Sequence, residues 1–347
     1  MKKVLVAIMM FLLGISLLTG CSAKKEQAQE QKKEANQQAG EQQPNKPLQK
    51  VTVLLDWVPN TNHTGLYVAK EQGYFKDQGL DVEIIQPSQG GVAGLVANGQ
   101  AQFGISYQEE VTMARLQKVP IVSVAAVIQH NTSAFAAKKQ SHITRPKDFE
   151  GKRYGGFGSP TENAVIEALM RKDGGDVKKV QFINMGSADF LASVGKNVDF
   201  SWIFMGWDGV RASMQGVALD AIMVKDADPA LDYYTPVIIT GEKLIKEKPE
   251  VIKAFMAAVS KGYQFAIAKP DEAAKMLVKN APETDAKLAV ESQKWLASQY
   301  QAEAPRWGEQ KLSVWQGYAD WMGAKGLLQG KLEGSKAYTN EFLPAAK

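Results

Sequence analysis

The chain from residue 48 onward predicts an α/β fold of two lobes, each a mainly parallel sheet flanked by helices, with a hinge between them. Three observations carry this. Strand-like and helix-like segments alternate, which implies parallel strands covered by helices. The same order of segments then recurs in a second stretch of similar length. Between the two stretches, Gln129–Ser133 and Tyr233–Pro236 read as chain crossings, so that the second lobe is inserted into the first.

The segments before the fold come first in order. Lys2-Lys3, an apolar run from Val4 to Leu18 and the site Leu18-Thr19-Gly20-Cys21 have the layout of a bacterial signal peptide over residues 1–20. The run is short for a membrane-spanning helix, which needs about 20 apolar residues. Cys21 is the single cysteine, so no intramolecular disulfide is possible. Its position after Leu-x-Gly resembles a lipobox, whose thiol is acylated and becomes the mature N-terminus. This predicts a lipid anchor in the membrane on the extracytoplasmic face; the alternative is a free thiol at a secretory cleavage site. Residues 22–47 are rich in Gln, Lys and Glu and hold no large apolar side chain, the composition of a flexible tether. The formal net charge of +4 falls to +2 when Lys2 and Lys3 leave. So balanced a charge, with no basic stripe, argues against a nucleic-acid partner.

In the first lobe, Val51–Leu55, Val82–Gln86, Phe103–Tyr107 and Ile121–Ile128 read as strands. Thr64–Glu71, Val92–Asn98 and Glu109–Lys118 read as the helices between them. In the second, strands lie near Tyr154–Phe157, Val180–Asn184, Asp199–Phe204 and Ala218–Val224. Its helices lie near Thr161–Lys172, Ala188–Val194 and Asp208–Gln215. "NGQAQFGISY" and "GKNVDFSWIF" occupy matching places in the two series, a faint internal repeat. After the second crossing, "VIITG" is a further strand and the rest is mostly helical. The boundaries are therefore 48–130 with 236–347 for the first lobe and its C-terminal helices, and 131–235 for the second.

Open α/β sheets bind ligands outside the carboxyl ends of their strands. Those ends carry Asp56-Trp57, Ser88-Gln89-Gly90-Gly91, Tyr107-Gln108-Glu109, Ser159-Pro160-Thr161-Glu162, Met185-Gly186-Ser187 and Trp207-Asp208. Two such rims facing each other describe a cleft that closes about a hinge. Trp57 suits stacking on a flat heterocycle, with Asp56 accepting from an amino group; the alternative is a Trp that caps the sheet. Asn60 and His63 lie in the same loop, and His63 serves equally well as a ligand contact or a local cap. Tyr107 and Glu109 are a weaker version of the Asp56-Trp57 argument, since Glu109 also suits the first turn of a helix. Ser159 to Glu162 forms an S-x-x-E capping box, whose helix start also offers N–H groups to a ligand. Gly91 either brings backbone close to the ligand or makes a plain turn. Strand alternation sends Trp202 to the core, whereas Trp207 and Asp208 mirror the Trp57-Asp56 pair from the other lobe. Three scattered histidines predict no metal site, and nothing implies a cofactor or a catalytic group. Trp295, Trp307, Trp315 and Trp321 punctuate helical patterns and are assigned to packing.

"DWVPNTNHTGLYVAKEQGYFKDQGLDVEII" resembles the opening of bacterial ABC-transporter solute-binding proteins of the ThiY type, and "QGG", "GSPTENAVIEALM" and "FMGWDG" follow in the same order. The resemblance spans roughly residues 50–330. That broad group takes in aminopyrimidine (thiamine-precursor) binders, riboflavin-type binders, sulfonate binders and the yeast-type pyrimidine synthases. It implies a periplasmic-binding-protein-like fold, a small planar ligand between the lobes, and delivery to an ABC permease with its ATPase. The synthases that resemble this chain use a cysteine-rich iron motif, which a single Cys21 cannot supply, so a binding protein rather than an enzyme is expected. A sulfonate would want arginines or many N–H donors rather than two carboxylates, which ranks it last.

Overall fold

The computed structural model describes residues 47–86, 91–186 and 188–346, and the chain from Leu48 onward forms one compact unit. The expected signal peptide, Cys21, nearly all of the tether, and Ser88 to Gly90 lie outside the described residues. No helix among the described residues is long and apolar enough to cross a membrane.

Among the described residues, ten strands form two five-stranded sheets. They are β1 (Gln49–Leu54), β2 (Leu80–Ile85), β3 (Phe103–Ser106), β4 (Ile121–Ala126), β5 (Ser133–Lys138), β6 (Arg153–Gly156), β7 (Gln181–Asn184), β8 (Phe200–Phe204), β9 (Leu219–Met223) and β10 (Val237–Gly241). The first sheet runs β2-β1-β3-β10-β4 and the second β7-β6-β8-β5-β9. Position for position the orders match, and the internal repeat falls on β3 and β8, the middle strands. The expectation of mainly parallel sheets holds, with one reversed strand in each sheet. β10 pairs antiparallel with β3 and β4, and β5 pairs antiparallel with β8 and β9. Both exceptions follow a crossing, where the chain enters its sheet from the far end and runs against the other strands. β5 itself was not among the predicted strands.

Alternation divides the first sheet between two cores. Val51, Val53, Phe103, Ile105 and Ile238 face the helices Thr64–Glu71 and Pro249–Ala268. Leu54, Val237 and Ile239 face the opposite layer with Val92, Val96 and Trp315. The first pair of helices meets backbone to backbone: a Cβ on Gly262 would lie 2.0 Å from the Gly65 carbonyl oxygen. That close approach seats the helix that follows the Asp56–His63 loop. In the second sheet Phe135, Tyr154 and Phe200 pack on Phe149, Ile166 and Leu169. Phe149 and Phe200 stack at 4.1 Å between centroids. The helix Leu312–Ala324 serves both halves: Trp315 and Ala319 join the first-sheet core, while Tyr318, Trp321 and Met322 join the second. Trp307 is fully buried and stacks on Tyr263 at 4.2 Å.

Candidate functional site

The ladder of β1 ends where Leu55 N–H donates to the Ile85 carbonyl, and the next residues leave the sheet. Trp57 is 49 % exposed and belongs to no core cluster, so it does not cap the sheet. Asp56 turns inward. Its Oδ1 lies 2.7 Å from His63 Nε2, and Asn60 N–H lies 3.2 Å from His63 Nδ1. A backbone N–H can only donate, so Nδ1 is the acceptor and Nε2 carries the proton given to Asp56. The rest of the loop is equally tied down. Asn60 Oδ1 accepts from Asn62 N–H at 2.9 Å, and Tyr263 and Tyr300 hydroxyls donate to the Asn62 and Thr61 carbonyls at 2.7 and 2.6 Å.

The ends of both sheets enclose a cavity of about 540 Å³, within the size range of small-molecule pockets. Asp56, Trp57, Asn60, Tyr107, Glu109, Ser159, Glu162, Trp207 and Asp208 all line it. Two sequence candidates do not. His63 is fully buried behind Asp56 with both ring nitrogens engaged inside the protein, so it holds the wall rather than forming it. Gly91 sits at the N-cap of the helix Val92–Ala97 in extended backbone and is absent from the described lining. Trp202 departs from its expected core assignment. It packs on Phe135 at 5.0 Å, yet it is half-buried and its remaining surface lines the cavity.

On the first-sheet wall, Tyr107 is the N-cap of the helix Gln108–Leu116, which Gln108 fastens to the second crossing through Tyr234 N–H and C=O. Burial, with Asp56 beside it, pushes the Tyr107 hydroxyl well above the ordinary phenol range. Burial also raises Glu109; Tyr233 opposes the shift, while Glu110 and Glu162 add to it. Glu109 therefore keeps its proton to higher pH than a free carboxyl.

On the second-sheet wall the capping box is formed as the sequence predicts. Glu162 accepts from Ser159 N–H at 3.0 Å, from Phe157 N–H and from the Tyr154 hydroxyl at 2.9 Å. Its oxygens are thus spent on shaping the strand end. β8 runs into a π-helical turn, Met205–Gly209, which carries Trp207 and Asp208. Burial raises the Asp208 carboxyl, with Arg211 opposing and Asp189 adding. Arg211 is ion-paired with Asp189 and lies 3.6 Å from Asp208.

Several cavity residues escaped the sequence reading. Phe157, Tyr233, Thr132 and Leu296 line it, together with Arg211 and Asp189. Phe157, next to Gly158, was within reach of the strand-end rule. Leu296 was not, because no local pattern says which sheet a distant helix will meet. The described lining holds five carboxyl side chains and one cation, Arg211. Such a wall favours ligands with N–H donors or positive charge. One helix spans both rims. Ser292, on Ala286–Ala297, donates its hydroxyl to the Gly206 carbonyl, so the Thr61 hydroxyl 2.6 Å away is the donor to Ser292.

Known proteins resemble this chain in sequence and in fold. The formylaminopyrimidine-binding protein of Halalkalibacterium halodurans is 29% identical over 311 residues, 84% of this chain and 90% of that protein. The 4-amino-5-hydroxymethyl-2-methylpyrimidine phosphate synthase THI11 of Saccharomyces cerevisiae is 26% identical over 258 residues, covering 69% and 74%. The periplasmic aliphatic sulphonate binding protein SsuA from Escherichia coli superposes with a TM-score of 0.64 at 14% identity, covering 83% of this chain and 97% of that one. That likeness establishes the two-sheet, periplasmic-binding-protein fold. The family model described as NMT1/THI5 like matches residues 60–273, well over half the chain, and on that ground the protein belongs to the NMT1/THI5-like family.

Proposed function

We propose that the chain is the extracytoplasmic ligand-binding component of an ABC importer, held to the membrane by acylated Cys21. In this reading it captures a small planar, nitrogen-rich ligand of the aminopyrimidine class and presents it to a permease with its ATPase. One observation carries it: indole surface and carboxylates meet in one cavity between two sheets, with Trp57 and the His63-oriented Asp56 on one wall and Trp202, Trp207 and Asp208 on the other. Aromatic faces favour flat ring systems, and carboxylates favour amino groups on them. The relative named for formylaminopyrimidine binding supports the ligand class. Closure of the two lobes on the ligand would make the closed state the one seen by the permease.

The second reading is a pyrimidine-forming enzyme, favoured by the relatives named as synthases. Cys21, the single cysteine, stands in the export signal and cannot provide a cysteine-rich iron motif. Calorimetric titration with aminopyrimidines, and mass spectrometry of ligand released from protein purified without denaturation, test the binding reading. Absence of any ring compound and of any heat would overturn it, and turnover of ligand during incubation would favour the enzyme. For the anchor, Cys21→Ser is expected to leave export intact and move the protein from the membrane to the soluble fraction. Retention at the membrane would overturn lipidation.

A further inference from the structure

The two chain crossings lie side by side. Asn131 N–H donates to Asp232 Oδ1 at 2.8 Å, and its side-chain amide donates to the Leu231 carbonyl at 2.9 Å. The loop 298–311 is fastened across them. Gln129 N–H donates to the Gln299 carbonyl at 3.1 Å, and Gln129 Nε2 donates to the Glu309 carbonyl at 3.0 Å. That loop joins Ala286–Ala297, which meets Gly206, to Leu312–Ala324, which enters both cores. A contact that holds the loop on the crossings therefore bears on how the two halves sit together.

His130 adds a charged contact of this kind. Its Nδ1 lies 2.6 Å from Asp232 Oδ2, and its Nε2 lies 2.9 Å from Glu303 Oε2 on the loop. A neutral imidazole carries one N–H and one lone pair, so it donates to one carboxylate and turns its lone pair on the other. Only the imidazolium serves both. Burial works against that proton, but the bonds to Glu303 and Asp232 outweigh burial and raise the His130 pKa. Lys311 lies 3.2 Å from Glu303, and Arg306 is paired with Glu309 on the same loop. The neighbouring Tyr234 phenol, pushed up to about 12 by burial, stays neutral. Of these side-chain types, histidine alone ordinarily changes charge between pH 5 and 8. When the proton leaves, one bond must go. Asp232 is also held by Asn131 N–H, whereas Glu303 is the more exposed carboxylate and has Lys311 as a second partner. The loop contact is the one that breaks.

We propose that His130 is a proton-operated strap on the hinge. As the imidazolium it ties the loop 298–311 to both crossings and favours the arrangement in which the halves meet. As the neutral ring it releases that loop, so ligand is held more tightly at pH 5.5 than at pH 8.5 by this contact. The proposal rests on capture between two lobes and not on which ligand is captured. Neither His130 nor Glu303 is among the residues that line the cavity.

Calorimetric titration with 4-amino-5-hydroxymethyl-2-methylpyrimidine tests this on wild type, His130→Gln and Glu303→Gln at both pH values. Titration of the probe itself cancels in the ratio of wild-type to variant affinity. That ratio should be about two- to fivefold at pH 5.5 for either variant, as befits partly exposed groups, and close to one at pH 8.5. A ratio that is the same at both pH values overturns the strap, whatever its size. If wild type does not bind the probe, the aminopyrimidine reading falls, and scattering from ligand-free protein decides the strap. Wild type should then be more compact at pH 5.5 than at pH 8.5 while both variants stay unchanged, and equal behaviour of all three proteins overturns it.

Discussion

Asp56 is held from behind by a histidine whose tautomer the backbone dictates, and Tyr107 stands on its other side. A carboxylate so oriented meets an amino group without first reorganising. A buried charge-assisted hydrogen bond contributes about 1.5–3 kcal/mol. Asp56→Asn should therefore weaken aminopyrimidine binding about ten- to a hundredfold. Trp57→Ala should weaken it comparably while the melting temperature of ligand-free protein changes little, because nearly half of the indole is already in solvent. Titration and thermal melts on the two variants check this, and a large drop in melting temperature at unchanged affinity would refute it. At this scale the sequence was informative where a strand stops: Asp56-Trp57, Tyr107 and Trp207-Asp208 announced themselves by position. His63 did not, because Asn60-x-x-His63 looks the same whether the ring faces a ligand or bonds Asn60 N–H. Trp202 failed for a related reason. Alternation says which face of β8 it takes, but not that the face runs out of cover at the cavity.

Between elements, the clearest pH-sensitive contact lies at the crossings. His130 on the first crossing bonds Asp232, just before the second, at 2.6 Å, and Glu303 on the loop after Ala286–Ala297 at 2.9 Å. Lys311 lies 3.2 Å from Glu303, and Asp232 also accepts from Asn131 N–H. Burial alone would lower the His130 pKa, but the bonds to Glu303 and Asp232 outweigh it and the value is raised. The His130 hydrogen bond is also the main cause that lowers Glu303 to about 2. A raised histidine stabilises the fold fully below its unfolded value near 6.5, and that stabilisation is lost as pH rises through the folded value. The lowered Glu303 stabilises above about 4.5 and loses this as pH falls towards 2. The contact is thus strongest near pH 5–6. The groups are partly exposed and screened, so about 1 kcal/mol or less is at stake. His130→Gln should lower the melting temperature by about 1–2 °C at pH 5.5 and by less at pH 8.5. An equal loss at both values would show that charge plays no part. Element existence was largely legible, since strands such as Val237–Gly241 are rich in β-branched residues between turn signals. β5 was not. Its sequence, SAFAAK, has no β-branched residue, because a central strand between covering layers is built from small side chains, and small side chains carry no strand signature.

For the whole molecule, the question is what couples the two sheets. The recurrence of strands and helices made two lobes legible, since the same order of segments appears twice. The coupling was hidden, because helical periodicity shows that Leu312–Ala324 and Ala286–Ala297 have apolar faces and not which core receives them. Leu312–Ala324 contributes to both cores, whereas Ala286–Ala297 packs on the first core and meets the second half at Gly206. Ser292 is the sharpest case: it lies outside the cavity wall yet joins Thr61 on one rim to Gly206 on the other. If release requires the sheets to swing apart, the bond from Ser292 to Gly206 belongs to the closed state alone, while the Thr61 bond stays within the first half. Ser292→Ala then lowers the closed population without touching the ligand, and apparent affinity falls in proportion to that population. The lost Gly206 bond contributes about 0.5–1.5 kcal/mol, so the expected weakening is roughly two- to tenfold. Small-angle scattering supplies the independent readout. Wild type should contract on binding ligand, and ligand-free Ser292→Ala should be the more expanded of the two proteins. A variant that melts earlier but binds as tightly, with unchanged scattering, would reduce Ser292 to a packing residue and remove the rim-to-rim tie from the mechanism.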